Sequence, residues 1–166
     1  MSSLNTYLPQ HFRDFLTELE HHQAEYIVIG GYALGAYGRA RGTNDLDVFI
    51  NATKENAQRM VQACVSYGIP VESLTLKMFM VPRMIAIGEF PLRIEIIKKL
   101  YTVDFEYAYQ RVKTMQVDNL AVPVVDLNDL ILLKQAAVKG RNQARDSEDL
   151  SFLQKLKAAL SKRDKL

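Results

Sequence analysis

The sequence predicts an α+β domain, built as a mixed β-sheet with flanking helices and a C-terminal helical section. Short apolar runs that end at glycine, proline or asparagine indicate strands, and they lack the regular strand–helix alternation of a parallel α/β array. The last third of the chain instead shows mostly helical spacing. A chain of 166 residues, 48% hydrophobic and 24% charged, has the size and composition of one domain with its own core.

A helix, a strand and a second, short helix open the chain. Residues 9–24 carry apolar side chains at helical spacing, which predicts an amphipathic helix. Residues 25–30 form a short apolar run that stops at a pair of glycines, so we expect a buried strand and a tight turn. Residues 32–37 then predict the short helix.

A loop, a strand and a longer helix complete the first half. Residues 38–44 form a loop that contains two arginines, and residues 45–50 alternate and are rich in valine, phenylalanine and isoleucine, which predicts a strand. Thr53 is a suitable N-cap for a helix that reaches Tyr67, where a Gly-Ile-Pro sequence breaks it.

The middle of the chain predicts a hairpin. Residues 71–81 are compatible with a strand or with irregular structure. Residues 83–87 and 92–97 are strand-like runs on either side of a Gly-Glu-Phe-Pro turn, and residues 104–112 predict a short helix.

A second hairpin and two helices follow. Strands are expected at residues 115–117 and 121–125, joined by an Asp-Asn turn. Helices are expected at residues 127–139 and 144–160; a Gly-Arg-Asn sequence separates them, and the charged tail is expected to fray.

Charge and cysteine content narrow the class of protein. The net charge is only +2, which neither indicates nor excludes nucleic-acid binding. The single cysteine, Cys64, lies on an apolar helical stripe, so we expect a buried structural thiol. The N-terminal segment lacks the basic start and apolar run of a signal peptide, and no stretch has the length of a membrane span. We therefore expect a cytoplasmic protein with no membrane partner.

Asp45 and Asp47 are the first candidate site residues. Side chains alternate faces along a strand, so carboxylates two residues apart lie close together on one face. Their mutual repulsion is relieved by a hard divalent cation, and magnesium prefers oxygen ligands. The simpler interpretation is an exposed acid pair at a strand end.

Gly30 and Gly31 stand between the first strand and the short helix. Without a Cβ, the backbone can approach a ligand closely, and the N–H groups that open a helix bind phosphate. Arg39 and Arg41 add positive charge nearby. The simpler interpretation is that the glycines only form a tight turn.

Together these residues resemble the signature of the nucleotidyltransferase superfamily, the group related to DNA polymerase beta. The G-G-Y-A-L sequence that begins at Gly30, with the R-x-T-x-D-x-D sequence that ends at Asp47, is typical of a bacterial and archaeal branch that includes minimal and toxin-type nucleotidyltransferases. Gly31 stands where many members carry serine.

The resemblance covers roughly residues 20–155. It implies a single nucleotidyltransferase-like domain over residues 1–166, with a catalytic core at about residues 20–100 and a C-terminal hairpin and helices at about residues 112–162.

The family requires a third carboxylate on a neighbouring strand. Glu95 lies in the middle of an otherwise apolar strand, where a charged residue needs a partner or an ion. Family members mostly have Asp here, so Glu95 is a departure from the pattern. Asp104 lies outside the strand and fits less well, and the alternative for Glu95 is a simple ion pair with Arg93 or another cation.

A second resemblance lies near the C-terminus. A helix that carries Lys134, followed by the R-D-x-x-D sequence of Arg145, Asp146 and Asp149, is similar to the family's late segment. Lys134 can meet phosphate oxygens as a point charge, with the acids orienting it or Arg145. The alternative is that Lys134 and Arg145 are surface charges, and for Asp149 we favour an ordinary acid of a helix first turn.

The resemblance implies transfer of a nucleoside monophosphate from a nucleoside triphosphate to an acceptor hydroxyl, with Asp45, Asp47 and Glu95 as catalytic and metal-binding residues and Mg²⁺ or Mn²⁺ as the cofactor. The nucleotide-binding residues implied are Gly30, Gly31, Tyr32, Arg39, Arg41, Thr43 and Lys134. The acceptor stays open between an RNA 3′ end, a protein side chain and a small molecule, and a toxin–antitoxin role is one setting.

Two other functions remain. The first is a non-catalytic antitoxin or regulatory protein of the same fold, which binds nucleotide or a helical partner protein. The second is an unrelated α+β binding module in which the D-x-D sequence is accidental.

Overall fold

Six strands form one mixed sheet in the computed structural model, which describes residues 8–165. They are β1 (Tyr26–Ile29), β2 (Asp45–Ile50), β3 (Ile85–Ile87), β4 (Arg93–Ile97), β5 (Lys113–Val117) and β6 (Leu120–Val124). Their order is β3-β4-β2-β1-β6-β5. β1 pairs antiparallel with β2 and parallel with β6, and β2 pairs parallel with β4. The two outer pairs are the antiparallel hairpins that the sequence predicts.

Six helices flank this sheet within the same residues. They are α1 (Gln10–His21), α2 (Gly30–Ala36), α3 (Lys54–Tyr67), α4 (Phe105–Gln110), α5 (Leu127–Arg141) and α6 (Ala144–Asp164). α1 packs against α3, and α5 packs against α6. The α+β class, with a mixed sheet and a helical C-terminal section, is confirmed.

Local sequence explains where these helices begin and which face they bury. α1 places Phe12, Phe15, Leu16 and Leu19 in the core, at the spacing of one helical stripe. The Thr53 side chain accepts the Asn56 N–H at 3.1 Å and caps α3, as predicted.

Several boundaries differ from the sequence prediction. α2 begins at Gly30 rather than at residue 32, because Gly30 adopts φ +72°, a conformation that turns the chain directly from strand into helix. The ambiguous segment 71–81 is irregular and contains two single 3₁₀ turns, at Val71–Ser73 and Lys77–Phe79.

The C-terminal helices are longer than predicted. α5 continues through Gly140 and ends at Arg141, and the next residue, Asn142, caps it in the left-handed conformation. Packing against α6 outweighs the low helix propensity of glycine. The tail does not fray before Asp164, and basic residues in the last turn of α6 suit the negative end of the helix dipole.

Two general expectations can also be compared with the structure. Cys64 is buried in the core on α3, as predicted. Across residues 8–165, no helix has the length and apolar character needed to cross a membrane. The expectation about the N-terminal segment falls mainly on residues 1–7, which lie outside the described residues.

Candidate active site

Three carboxylates converge where β2 lies beside β4. In the parallel register of these strands, Asp45 is opposite Arg93 and Asp47 is opposite Glu95. Asp45, Asp47 and Glu95 each offer an oxygen within 4.8 Å of the other two. The alternation of both strands therefore brings together the three acids that the sequence predicts.

The proximity of these acids and their burial disfavour ionisation. Burial, followed by the neighbouring carboxylates of Glu95 and Asp45, raises the pKa of Asp47 to about 8. Burial and Glu95 also raise the pKa of Asp45, although Arg93 and Arg145 oppose this shift. The site holds more negative charge than its own surroundings stabilise.

The donor set fits a hard divalent cation. Asp47 Oδ1 is buried and accepts no hydrogen bond from the described residues, so one carboxylate oxygen has no protein partner. Magnesium takes carboxylate oxygens at about 2.0–2.1 Å, and ligands on opposite sides of the ion then lie about 4 Å apart. The separation of the three carboxylates is of this order.

Glu95 also has a second partner. Arg93 Nε lies 3.1 Å from Glu95 Oε1, so the ion pair that the sequence left open is present. Because Glu95 also belongs to the acid cluster, the two interpretations of this residue are compatible. Asp104 is not in the cluster: it caps α4, where its side chain accepts the Tyr107 N–H at 3.4 Å.

Gly30 is required by the close approach of Asp47. A Cβ at Gly30 would overlap Asp47 Oδ2, and the residue has φ +72°, which other residues rarely adopt. β1 and β2 pair Ile29 with Asp47, which sets this approach. The glycine thus makes room for a carboxylate, a role that the turn signal in the sequence does not reveal.

Gly31 makes room for Thr43. A Cβ at Gly31 would lie 2.8 Å from Thr43 Oγ1, and that hydroxyl donates to the Asp45 carbonyl at 3.3 Å. Tyr32 is buried, and its ring packs edge-on against Phe12 at 5.6 Å. Contacts next to the acids therefore join Gly31 to Thr43 of the R-x-T-x-D-x-D sequence, and Tyr32 to Phe12 of α1.

Asp149 binds three of the predicted phosphate ligands. Its carboxylate, fully buried on α6, lies 3.0 Å from Arg39 Nε, 2.8 Å from Arg41 Nη2 and 3.0 Å from Lys134 Nζ. Burial by itself raises the pKa of Asp149, but hydrogen bonds from Arg41 and Arg39 and the contact with Lys134 outweigh it and hold the pKa at about 2. The interpretation of Asp149 as an ordinary first-turn acid is wrong, because the fold buries it completely.

Asp146 extends this network. It is also fully buried, and it contacts Lys134 Nζ at 3.6 Å and Arg141 Nη2 at 2.7 Å. Lys134 is therefore a buried cation between two acids rather than a surface charge. The R-D-x-x-D sequence was the signal for this cluster. Arg39 and Arg41, which contact Asp149 of that sequence, lie about a hundred residues earlier in the chain.

Two cavities flank the glycine pair. One, of about 390 Å³, is lined by Gly30, Asp47, Glu95 and Lys134, together with the segment that follows β4. The other, of about 550 Å³, is lined by Gly31, Tyr32, Arg41 and Thr43. The smaller cavity contains two of the three clustered acids, Asp47 and Glu95. The segment from Lys99 to Thr102, which lines this cavity, is a feature that the sequence analysis missed.

Comparisons with known proteins give matches only at the level of structure. No protein-family model and no curated protein sequence matches the chain significantly. The crystal structure of ANT(2'')-Ia in complex with adenylyl-2''-tobramycin aligns with a TM-score of 0.54 and 13% identity, over 92% of this chain and 95% of that chain. The structure of JHP933 from Helicobacter pylori aligns with a TM-score of 0.52 and 17% identity, over 93% of this chain and 68% of that chain.

The sheet, the helices and these alignments define a nucleotidyltransferase-like fold. At such low identity the similarity concerns the fold alone. The roles of the site residues therefore depend on the geometry of this chain.

Proposed function

We propose that the protein transfers a nucleoside monophosphate from a nucleoside triphosphate to an acceptor hydroxyl, with release of pyrophosphate. The observation that carries this proposal is the convergence of Asp45, Asp47 and Glu95, with one oxygen of each within 4.8 Å of the others. The same fold occurs in ANT(2'')-Ia, whose crystal structure is a complex with adenylyl-2''-tobramycin.

In this proposal the three acids bind the metal ions. Asp45, Asp47 and Glu95 would hold two Mg²⁺ or Mn²⁺ ions. When bound, these ions neutralise triphosphate charge and lower the pKa of the acceptor hydroxyl. Glu95, on the strand next to the two aspartates, orients the acceptor side of the site.

The triphosphate is proposed to lie across Gly30 and Gly31, which line the two cavities. Thr43 and Tyr32 border this path, and Lys134 lies in the same cavity as Asp47. Asp149 holds both Arg39 and Arg41, so the charge of Arg41, which lines the larger cavity, is presented to phosphate from a fixed position.

The test is a transfer assay with radiolabelled nucleoside triphosphates, magnesium and total cell extract, which asks what becomes labelled. Glu95→Gln should lower turnover by a factor of about a hundred or more, because it removes charge where the acceptor oxygen reacts, and should change triphosphate affinity less than about tenfold. Glu89→Gln, an exposed turn residue, is the matched control. Equal turnover in Glu95→Gln and wild type would contradict the assignment.

One observation favours a second candidate, a non-catalytic nucleotide-binding or partner-binding protein. The Arg93–Glu95 ion pair occupies one oxygen of the third acid. Magnesium-dependent triphosphate binding without any labelled product would support this candidate.

The cytoplasmic toxin–antitoxin setting is tested separately: expression of the wild type, but not of Glu95→Gln, should arrest bacterial growth.

A further inference from the structure

A tyrosine with no packing role stands at the mouth of the cavity that holds the acids. Tyr101, in the loop between β4 and α4, is 92% exposed, the highest value among the large hydrophobic side chains of the described residues. It lines the same cavity as Asp47 and Glu95. A singly exposed aromatic ring is ordinary by itself, but a ring that lines the cavity of the acids offers a flat apolar face to a ligand bound there.

Lys99 accompanies this ring. Its Nζ lies 5.9 Å from the centroid of Tyr101, and it lines the same cavity. Glu95, Ile97 and Lys99 all line the cavity, as expected from the alternation of β4 continued by one step. The lysine and the tyrosine therefore lie on the side of the sheet that carries the third acid.

Lys99 differs from the other basic residues of the cavity. Lys134 and Arg141 are both engaged with Asp146, whereas Lys99 makes no ion pair with any acid in residues 8–165. An unpaired cation next to an exposed aromatic ring matches a ligand that has both a flat π-system and negative charge. A nucleobase with its phosphate has both properties.

We propose that Tyr101 and Lys99 form a stacking platform for a nucleobase, in which the ring carries the base and the ammonium group contacts the adjoining phosphate. The inference rests on the proposed function, because it places a nucleotide unit next to Asp47 and Glu95. The base belongs either to the donor triphosphate or to the end of a single-stranded nucleic-acid acceptor, and the experiment separates these two sources.

The chain contains no tryptophan, so Tyr101→Trp introduces a single tryptophan at the platform, whose fluorescence is excited selectively over that of the tyrosines. Tyr107→Trp is the matched control, because Tyr107 is 64% exposed and lies on α4, outside the cavity lining. Each variant is titrated, with magnesium, against the four nucleoside triphosphates, against tripolyphosphate and against a short single-stranded RNA. Calorimetry on the wild type measures binding of the same ligands independently.

Stacking on the introduced indole should quench the fluorescence of the Tyr101→Trp variant and not that of the control. Triphosphates should quench it if the donor base is bound there, and RNA should quench it if the acceptor base is. Tripolyphosphate, which has charge without a base, should leave the signal unchanged. Tyr101→Ala should weaken binding of the quenching ligand by about 5- to 150-fold, and Tyr101→Phe should restore it, because stacking needs the ring and not the hydroxyl.

The proposal fails if calorimetry detects binding of triphosphate or RNA while Tyr101→Trp is not quenched and Tyr101→Ala binds normally. In that case the proposed function stands and the base lies elsewhere. Quenching by tripolyphosphate equal to that by nucleotides would also contradict it. If the wild type binds neither triphosphate nor RNA, the proposed function fails together with the platform.

Discussion

Removal of the charge on Asp149 should destabilise the protein strongly. Asp149→Asn keeps the shape of the side chain but leaves Arg39, Arg41 and Lys134 facing a neutral amide in a buried position. Breaking a buried ion pair by removing one partner costs about 3–5 kcal/mol, because the other charge stays desolvated. For a chain of this length, each kcal/mol lowers the melting temperature by about 2–4 °C, so we expect a loss of about 6–20 °C.

Thermal denaturation at neutral pH measures this effect, and Glu148→Gln is the matched control. Glu148 also contacts Arg39, at 3.5 Å, but its side chain is largely exposed, so its loss should cost less than about 1 kcal/mol. A melting temperature for Asp149→Asn within a degree or so of Glu148→Gln would refute the reasoning, because the buried carboxylate would then not compensate the cations.

The pH dependence of stability tests the role of Asp149 a second time. The folded-state pKa of Asp149, about 2, lies below its usual value, so its stabilisation is present at neutral pH and is lost as the pH falls from about 4 toward about 2. The difference in melting temperature between wild type and Asp149→Asn should therefore shrink over that range. A difference that stays constant down to the lower end of the range would contradict the ion-pair origin of the effect.

Further outcomes follow from three residues of the site and the core, Asp47, Gly30 and Lys98. Asp47→Asn should raise the melting temperature of the metal-free protein, because burial and neighbouring acids disfavour the charged carboxylate and raise its pKa to about 8. The same substitution should remove the rise in melting temperature that magnesium causes in the wild type. Because that pKa is raised, the stability that Asp47 contributes in its protonated form is lost as the pH rises from about 4 through about 8. Magnesium binds the ionised carboxylate, so it should stabilise the wild type more above about pH 8 than at about pH 6. Gly30→Ala should abolish the magnesium effect and cost about 1–3 kcal/mol through its positive φ and the overlap with Asp47, whereas Gly42→Ala, with open space around it, should change neither property. Lys98→Met should raise the melting temperature by about 2–4 °C, since burial lowers the pKa of Lys98 and its Nζ finds no hydrogen bond among the described residues; the exposed Lys77→Met should not.

The sequence predicts the pair of aspartates because its signal is local. Alternation along a strand places Asp45 and Asp47 on one face whatever the rest of the chain does. Glu95 was expected as the third acid from the resemblance to a known family, and the pairing of β2 with β4 places it opposite Asp47. The turn chemistry of the two hairpins is equally local, and both hairpins form. The roles of the three acids in catalysis stay predictions.

The roles of the glycines and of the basic residues depend on contacts between segments that are distant in the sequence. Gly30 faces Asp47 because β1 and β2 pair in one particular register, and a turn signal in the sequence carries no information about that register. Arg39 and Arg41 look like free phosphate ligands in the sequence, yet the fold holds both on Asp149, more than a hundred residues away.

The sequence by itself therefore determined the α+β class and the shared face of Asp45 and Asp47, because these depend on periodicity within single elements, whereas the resemblance to a known family supplied Glu95 as the third acid. The tertiary structure alone decided that α6 buries Asp146 and Asp149 against cations from distant segments, and that Tyr101 remains exposed at the mouth of the cavity. Desolvation and long-range packing set these properties, and both arise only when the helices close over the sheet.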